Sequence, residues 1–120
     1  MHSRMAQSRL KHEQVQYIEC LSKDLSKTKE FYTQCFGWKF TDYGPHYTAF
    51  EGAYVDGGFT TGVPVNGSIL IVLYSGNLDN TLDKIKAYGA TISKDIFSFP
   101  GGRRFQFIDP DGYEWAVWSE

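Results

Sequence analysis

The feature that most constrains the fold is the segment 101–118, in which residue types alternate on both sides of a turn. A period of two is typical of strands that have two different faces. Between the two arms, the Asp-Pro-Asp-Gly sequence at 109–112 has the chemistry of a tight turn, because Pro110 fixes φ and Gly112 can adopt positive φ. The segment therefore predicts an antiparallel hairpin with one apolar face and one mixed face.

The two faces of this hairpin predict different roles for its side chains. Phe105 and Phe107 fall on the apolar face, which we expect a helix to cover. The opposite face alternates with them and carries Arg104, Gln106, Glu114 and Trp118. We predict that any ligand site lies on this second face, because the helix-covered face forms core.

Composition excludes several classes of function. The chain has 120 residues, enough for one domain, and 17% of them are aromatic, which suits the lining of a concave site. A net charge of -2 gives no electrostatic footprint for nucleic acid or an anionic membrane. No apolar run approaches the roughly 20 residues of a spanning helix, and no signal-peptide pattern opens the chain. We expect a cytoplasmic protein that binds neither nucleic acid nor membrane.

The first half of the chain predicts a strand, a helix and three further strands. After a flexible tail at 1–12, an alternating strand over 15–21 precedes Asp24, a residue type that favours a helix N-cap. The helix ends at Gly37. The β-prone runs that follow are separated by Gly-containing turns and span 38–43, 47–50 and 59–61.

The second half repeats this order after a Gly- and Pro-containing linker at 62–67. A strand over 68–74 precedes Asn77 at the cap position, and the apolar stripe of the next helix reaches Tyr88 before Gly89 ends it. A strand over 90–97 and the two arms of the hairpin complete the half.

The two halves are similar to each other. A constant shift along the chain aligns Ser22, Asp24, Leu25 and Thr28 with Ser75, Asn77, Leu78 and Thr81. A four-stranded sheet covered by one helix has a second face without a helix, and two such faces can meet around a cleft. We therefore predict one α+β domain over 13–120, built of two βαβββ modules (about 13–64 and 65–120) with curved mixed sheets around a cleft.

Three motifs resemble a known superfamily. They are the spaced pattern from Asp24-Leu25 to Phe36-Gly37-Trp38, the restart at Asn77-Leu78, and the Gly-Arg-Arg-Phe to Asp-Pro-Asp-Gly segment at 102–112. Together they resemble the glyoxalase / bleomycin-resistance / dioxygenase (vicinal-oxygen-chelate) superfamily over 15–118. The resemblance implies paired βαβββ modules. It also implies one of several functions, since members include metal-dependent glyoxalase I, extradiol dioxygenases, fosfomycin-modifying enzymes and metal-free antibiotic-binding proteins.

The resemblance also implies positions for metal ligands. Tyr17 stands where relatives supply His or Gln, and Leu70 and Ala116 occupy two further ligand positions. The strand around 57–61 offers no His or carboxylate apart from Asp56 at its edge. Divalent metals need several N or O ligands, so we expect no metal and no other cofactor.

Glu19 is the candidate catalytic residue on the predicted cleft face. The resemblance implies a role for it, since relatives of lactoylglutathione lyase often carry a Glu at this position, which suggests a base or a ligand-binding carboxylate. Alternatively, Glu19 forms a structural pair with Arg104. The predicted ligand-binding positions are Tyr17, Leu70, Val72, Tyr74, Arg104, Gln106, Glu114 and Trp118. His46, in a predicted turn, receives no role.

Several functions remain open at this point. The first is a protein that binds or transforms a small organic molecule in a cleft without the usual metal, as a lyase or isomerase with Glu19 as base if it is an enzyme. The alternatives are a metal-dependent lactoylglutathione lyase or ring-cleaving dioxygenase-type enzyme, and a metal-free protein that sequesters an antibiotic or toxin. We also expect a homodimer, because Trp38, Phe40 and Tyr43 supply apolar surface beside the first helix.

Overall fold

The structure is a computed structural model that describes residues 10, 12–13, 16–67 and 69–120. Most of the predicted tail at 1–12 lies outside the described residues. The predicted strand positions Val15 and Ser68 lie outside them as well. The chain divides into two compact units between Pro64 and Val65. Within the part of the chain that the structure describes, no helix is long and apolar enough to cross a membrane.

The first unit contains one helix and a four-stranded mixed sheet. Its elements are β1 (Tyr17–Ser22), α1 (Leu25–Phe36), β2 (Lys39–Asp42), β3 (Tyr47–Glu51) and β4 (Asp56–Thr61). The strand order is β1-β4-β3-β2, with β1 parallel to β4 and the other neighbours antiparallel. This is a βαβββ module.

The second unit has the same order of elements. They are β5 (Ile71–Tyr74), α2 (Leu78–Ala87), β6 (Thr91–Phe99), β7 (Gly102–Ile108) and β8 (Glu114–Ser119). The strand order is β5-β8-β7-β6, and β5 is parallel to β8. The predicted α+β class with two βαβββ modules is therefore confirmed.

Both helices begin at side chains that the sequence indicates. Asp24 Oδ1 accepts a hydrogen bond from the backbone N of Lys27 at 3.2 Å, and α1 ends at Gly37 in the left-handed region with φ 72°. Asn77 Oδ1 accepts from the backbone N of Asn80 at 3.1 Å in the same way. The caps satisfy backbone donors that a helix start leaves without partners.

A pair of hydroxyl groups joins the first strand of each unit to its helix. The Ser22 and Thr28 hydroxyls lie 2.8 Å apart, and both side chains are buried. The Ser75 and Thr81 hydroxyls lie 2.7 Å apart at the aligned positions of the second unit. The sequence repeat therefore corresponds to a repeated contact.

The core of the first unit lies between α1 and one face of its sheet. Tyr32 is fully buried, and its ring stacks on Trp38 with centroids 4.7 Å apart and on Phe59 with centroids 5.6 Å apart. Phe59 pairs with Cys20 in the register of β1 and β4, so these two share the helix-covered face. Tyr17, Glu19 and Leu21 alternate with them and therefore lie on the helix-free face.

The hairpin of the second unit has the predicted faces. Phe105 and Phe107 are fully buried, and the Phe107 ring stacks parallel to Trp115 with centroids 6.5 Å apart. The turn is organised by Asp109, whose Oδ1 accepts from two turn amides while its Oδ2 accepts from Trp115 Nε1 at 3.2 Å. Gly112 has φ 93°, as the turn requires.

Three details of the sequence prediction are wrong. Gly57 and Gly58 do not separate strands but lie inside β4, where position 58 is glycine because a neighbouring side chain takes the space that a Cβ atom would need. Strand β5 begins at Ile71, so Leu70 precedes the strand. Tyr88 is 50% exposed at the end of α2 and does not belong to the buried stripe.

Candidate functional site

Glu19 lies on the helix-free face of the first sheet. It is exposed and pairs with Gly58 in the register of β1 and β4. The neighbouring position on β3 is Ala49, which pairs with Gly58 from the other side. Neither neighbour has a long side chain, and the Tyr47 ring occupies the space above Gly58, so Glu19 lies beside that ring.

Two tyrosines meet on the same face. The hydroxyl of Tyr17 hydrogen-bonds to the hydroxyl of Tyr47, which comes from β3. Tyr47 reaches this partner by passing over Gly58, where a Cβ atom would lie 2.6 Å from Tyr47 Cζ. Glycine at this position therefore lets the ring approach the sheet backbone closely.

The environment raises the pKa of both phenols above the ordinary value of 10.0. Burial raises the pKa of Tyr47 most, and the hydrogen bond with Tyr17 and the negative charge of Glu19 raise it further. Burial also raises the pKa of Tyr17; the hydrogen bond with Tyr47 opposes this rise, and the Glu19 and Asp56 carboxylates add to it. Tyr47 and Tyr17 can therefore act as hydrogen-bond donors beside Glu19.

A small pocket opens where β3 leads into β4. Asp56 lines it and is 4% exposed, and Asp56 Oδ2 has no hydrogen-bond partner among the described residues. The other lining residues are Tyr17, Thr41, Tyr43, Ala49, Phe50, Glu51 and Gly57. The space that a water-sized group can occupy there is about 10 Å³.

The helix-free face of the second sheet is arranged in two rows across the strands. In one row Val72 pairs with Ala116, which pairs with Gln106. In the next row Tyr74 pairs with Trp118, and Trp118 pairs with Arg104. Six of the predicted positions in this unit therefore share one face, as the alternating pattern predicts, because Glu114 precedes Ala116 by two residues on β8.

The polar part of this face is a short hydrogen-bond network. Glu114 Oε2 accepts from Ser93 Oγ at 2.6 Å and from Gln106 Nε2 at 2.9 Å. These two hydrogen bonds hold the pKa of the Glu114 carboxyl below its usual value. Gln106 is 4% exposed, and its Oε1 has no hydrogen-bond partner among the described residues.

The aromatic part of the face surrounds Trp118. The Tyr74 ring meets the Trp118 ring edge to face with centroids 5.3 Å apart, and the Phe99 ring lies 6.5 Å from it. The Arg104 guanidinium lies over the Phe97 ring, with Cζ 5.2 Å from the centroid. Arg104 Nε is buried and has no hydrogen-bond partner among the described residues.

The sequence alone assigns no role to several residues of these two faces. Tyr47, Asp56, Ser93 and Phe97 all contact or line the groups described above. The signal for Tyr47 was the adjacent Gly57-Gly58 pair, which in a strand marks a close approach of another group. His46 makes local contacts with Thr61, since its backbone O accepts from Thr61 N at 3.0 Å and its ring nitrogen lies 3.4 Å from the Thr61 hydroxyl.

The residues at the implied ligand positions do not fit a divalent metal. Tyr17 is engaged with Tyr47, Leu70 and Ala116 have no donor atom, and Ala116 is fully buried. Among the described residues, no three His, Cys, Asp or Glu side chains group closely enough to hold a metal ion. We therefore derive no chemical step through a metal.

Comparison with known proteins identifies the family. The family model of the Glyoxalase/Bleomycin resistance protein/Dioxygenase superfamily matches residues 14–117. The chain belongs to this superfamily, which confirms the resemblance seen in its motifs. No curated protein sequence matches the chain significantly.

Solved structures share the fold at low sequence identity. A glyoxalase-related enzyme from Fulvimarina pelagi has a TM-score of 0.77 at 22% identity, over 90% of this chain and 88% of its own. A superfamily enzyme from Burkholderia phytofirmans PsJN has a TM-score of 0.78 at 15% identity, over 88% of this chain and 97% of its own. A mutant of the fosfomycin resistance protein FosX from Listeria monocytogenes, complexed with Mn(II) and 1S,2S-dihydroxypropylphosphonic acid, has a TM-score of 0.76 at 20% identity, over 91% of this chain and 90% of its own.

Proposed function

We propose that the protein binds a small organic molecule on its helix-free sheet faces without a divalent metal. The observation that carries the proposal is a pair of buried polar atoms on β7 that have no hydrogen-bond partner within the described part of the chain, the acceptor Gln106 Oε1 and the donor Arg104 Nε. The two residues are separated by one position, so their Cα atoms lie roughly 7 Å apart on one face. Buried polar atoms are normally satisfied, and a ligand with a donor and an acceptor would satisfy both.

Apolar surface beside these atoms supports the same proposal. Val72 is 45% exposed and Tyr74 is 57% exposed, and both lie on the face that carries Gln106 and Arg104. Exposed apolar side chains grouped on one sheet face are typical of a binding surface. Tyr74 and Trp118 offer aromatic rings to a flat ligand. A planar molecule with one donor and one acceptor at its edge fits this chemistry best.

The absence of suitable ligands separates this proposal from the metal-dependent alternatives. FosX from Listeria monocytogenes forms a complex with Mn(II). The present chain has Tyr17, Leu70 and Ala116 at the positions that the superfamily resemblance assigns to metal ligands, and two of these side chains are hydrocarbon. We therefore favour metal-free binding, as in sequestration of a drug or toxin, over a metal-dependent lyase or dioxygenase.

A catalytic role is the second candidate, and one observation favours it. Glu19 is exposed beside Tyr47, whose pKa is raised by burial, by the hydrogen bond with Tyr17 and by the Glu19 charge. A carboxylate beside a protonated phenol can remove a proton while the phenol donates to the developing oxyanion. In this role Glu19 would be the base of a lyase or isomerase, with the Tyr47 hydroxyl as donor.

Thermal-shift measurements on a panel of metabolites and antibiotics would identify a ligand, since a ligand that binds the native state raises Tm. We expect Tyr74→Leu and Gln106→Leu to weaken binding of each hit at least tenfold, about 1.4 kcal/mol. Tyr88→Leu is the matched control, because Tyr88 is equally exposed but lies at the end of α2. Hits that Tyr74→Leu and Gln106→Leu leave unchanged would contradict the proposal.

Glu19→Gln distinguishes the two candidates. Loss of turnover with retained affinity would establish an enzyme with Glu19 as base. Unchanged turnover would exclude Glu19 as the base, and absence of turnover in the wild type would leave binding as the function. A fall in Tm with unchanged binding would indicate the structural pairing instead.

We also propose a cytoplasmic homodimer. Tyr43 is 45% exposed at the end of β2, the edge strand of its sheet, where a second chain can pair or pack. Sedimentation should give a dimer mass, and a monomer mass at every concentration would contradict this proposal.

A further inference from the structure

We infer that the pocket at the start of β4 binds the primary ammonium group of a ligand, with Asp56 as its anion. The inference rests on the proposed function, since the rest of such a ligand would lie along the helix-free face that also carries Glu19. It adds a chemical class to that proposal, namely amines, and a site in the first unit.

The Asp56 carboxylate is buried without a full set of partners. Asp56 is only 4% exposed, and its Oδ2 has no hydrogen-bond partner among the described residues. Burying a carboxylate without a partner is costly, and such groups in native structures are paired with a cation or a donor. The ion pairs within the described residues join His12 to Glu13, Lys29 to Asp42 and Arg103 to Asp79, and none of them involves Asp56.

The side chains around the pocket carry negative charge. Glu51 also lines the pocket, and Glu19 lies two positions from Tyr17 on the same face. Lys39 is exposed on the edge strand and pairs with Glu51 rather than with Asp56 in the strand register. The ionisable residues that line the pocket within the described part of the chain therefore include carboxylates but no Lys or Arg, which favours a cationic group over a neutral or anionic one.

The pocket has the size of a primary ammonium group. The space for a water-sized group is about 10 Å³. This is roughly the room that one water molecule needs, and a primary ammonium is of similar size. It brings three donors and no acceptor, which suits Asp56 Oδ2. The aromatic residues Tyr17 and Tyr43 line the same pocket and can contact the carbon attached to nitrogen. A bulkier quaternary ammonium would not enter.

The test compares two probes of equal shape on the full chain. Phenethylamine is protonated at pH 7, because an alkylamine has a pKa close to that of lysine, about 10.4. 2-Phenylethanol replaces its ammonium by a neutral hydroxyl. In titrations of ¹⁵N-labelled protein, we expect the amine to shift the amide signals of Asp56 and Gly57 and to bind at least tenfold more tightly than the alcohol.

Asp56→Asn should weaken the binding of phenethylamine at least tenfold and leave the affinity for 2-phenylethanol unchanged. Asp42→Asn is the matched control, because Asp42 is an exposed carboxylate of the same sheet that pairs with Lys29 and does not line the pocket. If Asp56→Asn does not give a folded spectrum, Tyr43→Leu replaces it, because Tyr43 is 45% exposed and lies outside the core. Loss of the Tyr43 ring should weaken the binding of phenethylamine at least threefold.

Equal affinity for the two probes, or an amine affinity that Asp56→Asn leaves unchanged, would overturn the inference and assign the pocket to a bound water. Because Tyr74 and Gln106 lie in the other unit, the thermal-shift panel tests the proposed function separately. Panel hits that depend on Tyr74, together with a failed amine titration, would reject only the ammonium site.

Discussion

The hydroxyl groups of Tyr17 and Tyr47 meet although the two residues start from different levels of the sheet. Tyr17 lies opposite Asp56 and Tyr47 opposite Thr60 in the registers of β4. The contact therefore requires Tyr47 to lean along the sheet over Gly58, which has no side chain to prevent it. This relationship brings two phenols next to Glu19 and leads to the first two predictions.

Removal of the Tyr47 hydroxyl should be visible in alkaline titration. The folded-state pKa of Tyr47 is raised above the ordinary value of 10.0, so its contribution to stability is fully present below pH 10 and is lost as pH rises further. We expect ultraviolet absorbance to show late ionisation for a subset of the eight tyrosines, and Tyr47→Phe to remove one late group. Tyr54→Phe is the control, because Tyr54 is 76% exposed. Ionisation of every tyrosine near pH 10 in the folded protein would contradict the prediction.

Gly58→Ala should destabilise the first unit. A Cβ atom at this position would lie 2.6 Å from Tyr47 Cζ and 2.8 Å from the backbone O of Thr48, so the ring or the strand must move. Overpacking of this kind costs roughly 1–3 kcal/mol, measured as the free energy of unfolding in urea. Gly76→Ala provides the comparison, because no heavy atom lies within 4 Å of the Cβ position there. Equal stability of the two variants would show that Tyr47 does not occupy the space above Gly58.

Glu114 should give the second unit a weak dependence on acid pH. The pKa of its carboxyl is lowered from 4.5 by hydrogen bonds from Ser93 and Gln106, so its stabilising effect is present above pH 4.5 and is lost as pH falls through the folded-state pKa. Because Glu114 is exposed, we expect an effect below about 1 kcal/mol. The Tm difference between wild type and Glu114→Gln should shrink below pH 4.5. A difference that stays constant with pH would refute the prediction.

Purified protein should hold no divalent metal in stoichiometric amount. Leu70 and Ala116 have hydrocarbon side chains, and the Tyr17 hydroxyl is engaged by Tyr47, so a tightly bound ion would have too few ligands. Elemental analysis after dialysis tests this. About one retained ion per chain would be the contrary result and would revive the metal-dependent alternatives.

Local signals in the sequence were sufficient for much of the architecture. Asp24 and Gly37 delimit α1 because capping depends on a few neighbouring residues, and the turn at Asp109 depends on chemistry within five positions. The alternation around Phe105 and Gln106 predicted which side chains face the helix, since the pleat alone decides it. These features belong to short stretches of chain.

The candidate site was less predictable because its contacts join distant residues. The Gly57-Gly58 pair indicates a break when considered alone, but within β4 it makes room for Tyr47. The sequence indicates Asp56 only as an edge residue, although it is buried, lines a pocket and has an Oδ2 without a hydrogen-bond partner among the described residues. Neither fact can be inferred until β1, β3 and β4 are placed side by side.

The matched hydroxyl pairs, Ser22 with Thr28 and Ser75 with Thr81, point to tandem duplication of a half-length gene. Such an ancestor would need to encode the joint between strand and helix once, and each descendant copy would inherit it. The strand positions on the helix-free face do not form this contact and can change independently. The equivalent residues are now Glu19 in one copy and Val72 in the other. Each copy can in this way change the chemistry of its own helix-free sheet face, acidic at this position in the first and apolar in the second, without loss of the contact that joins its strand to its helix.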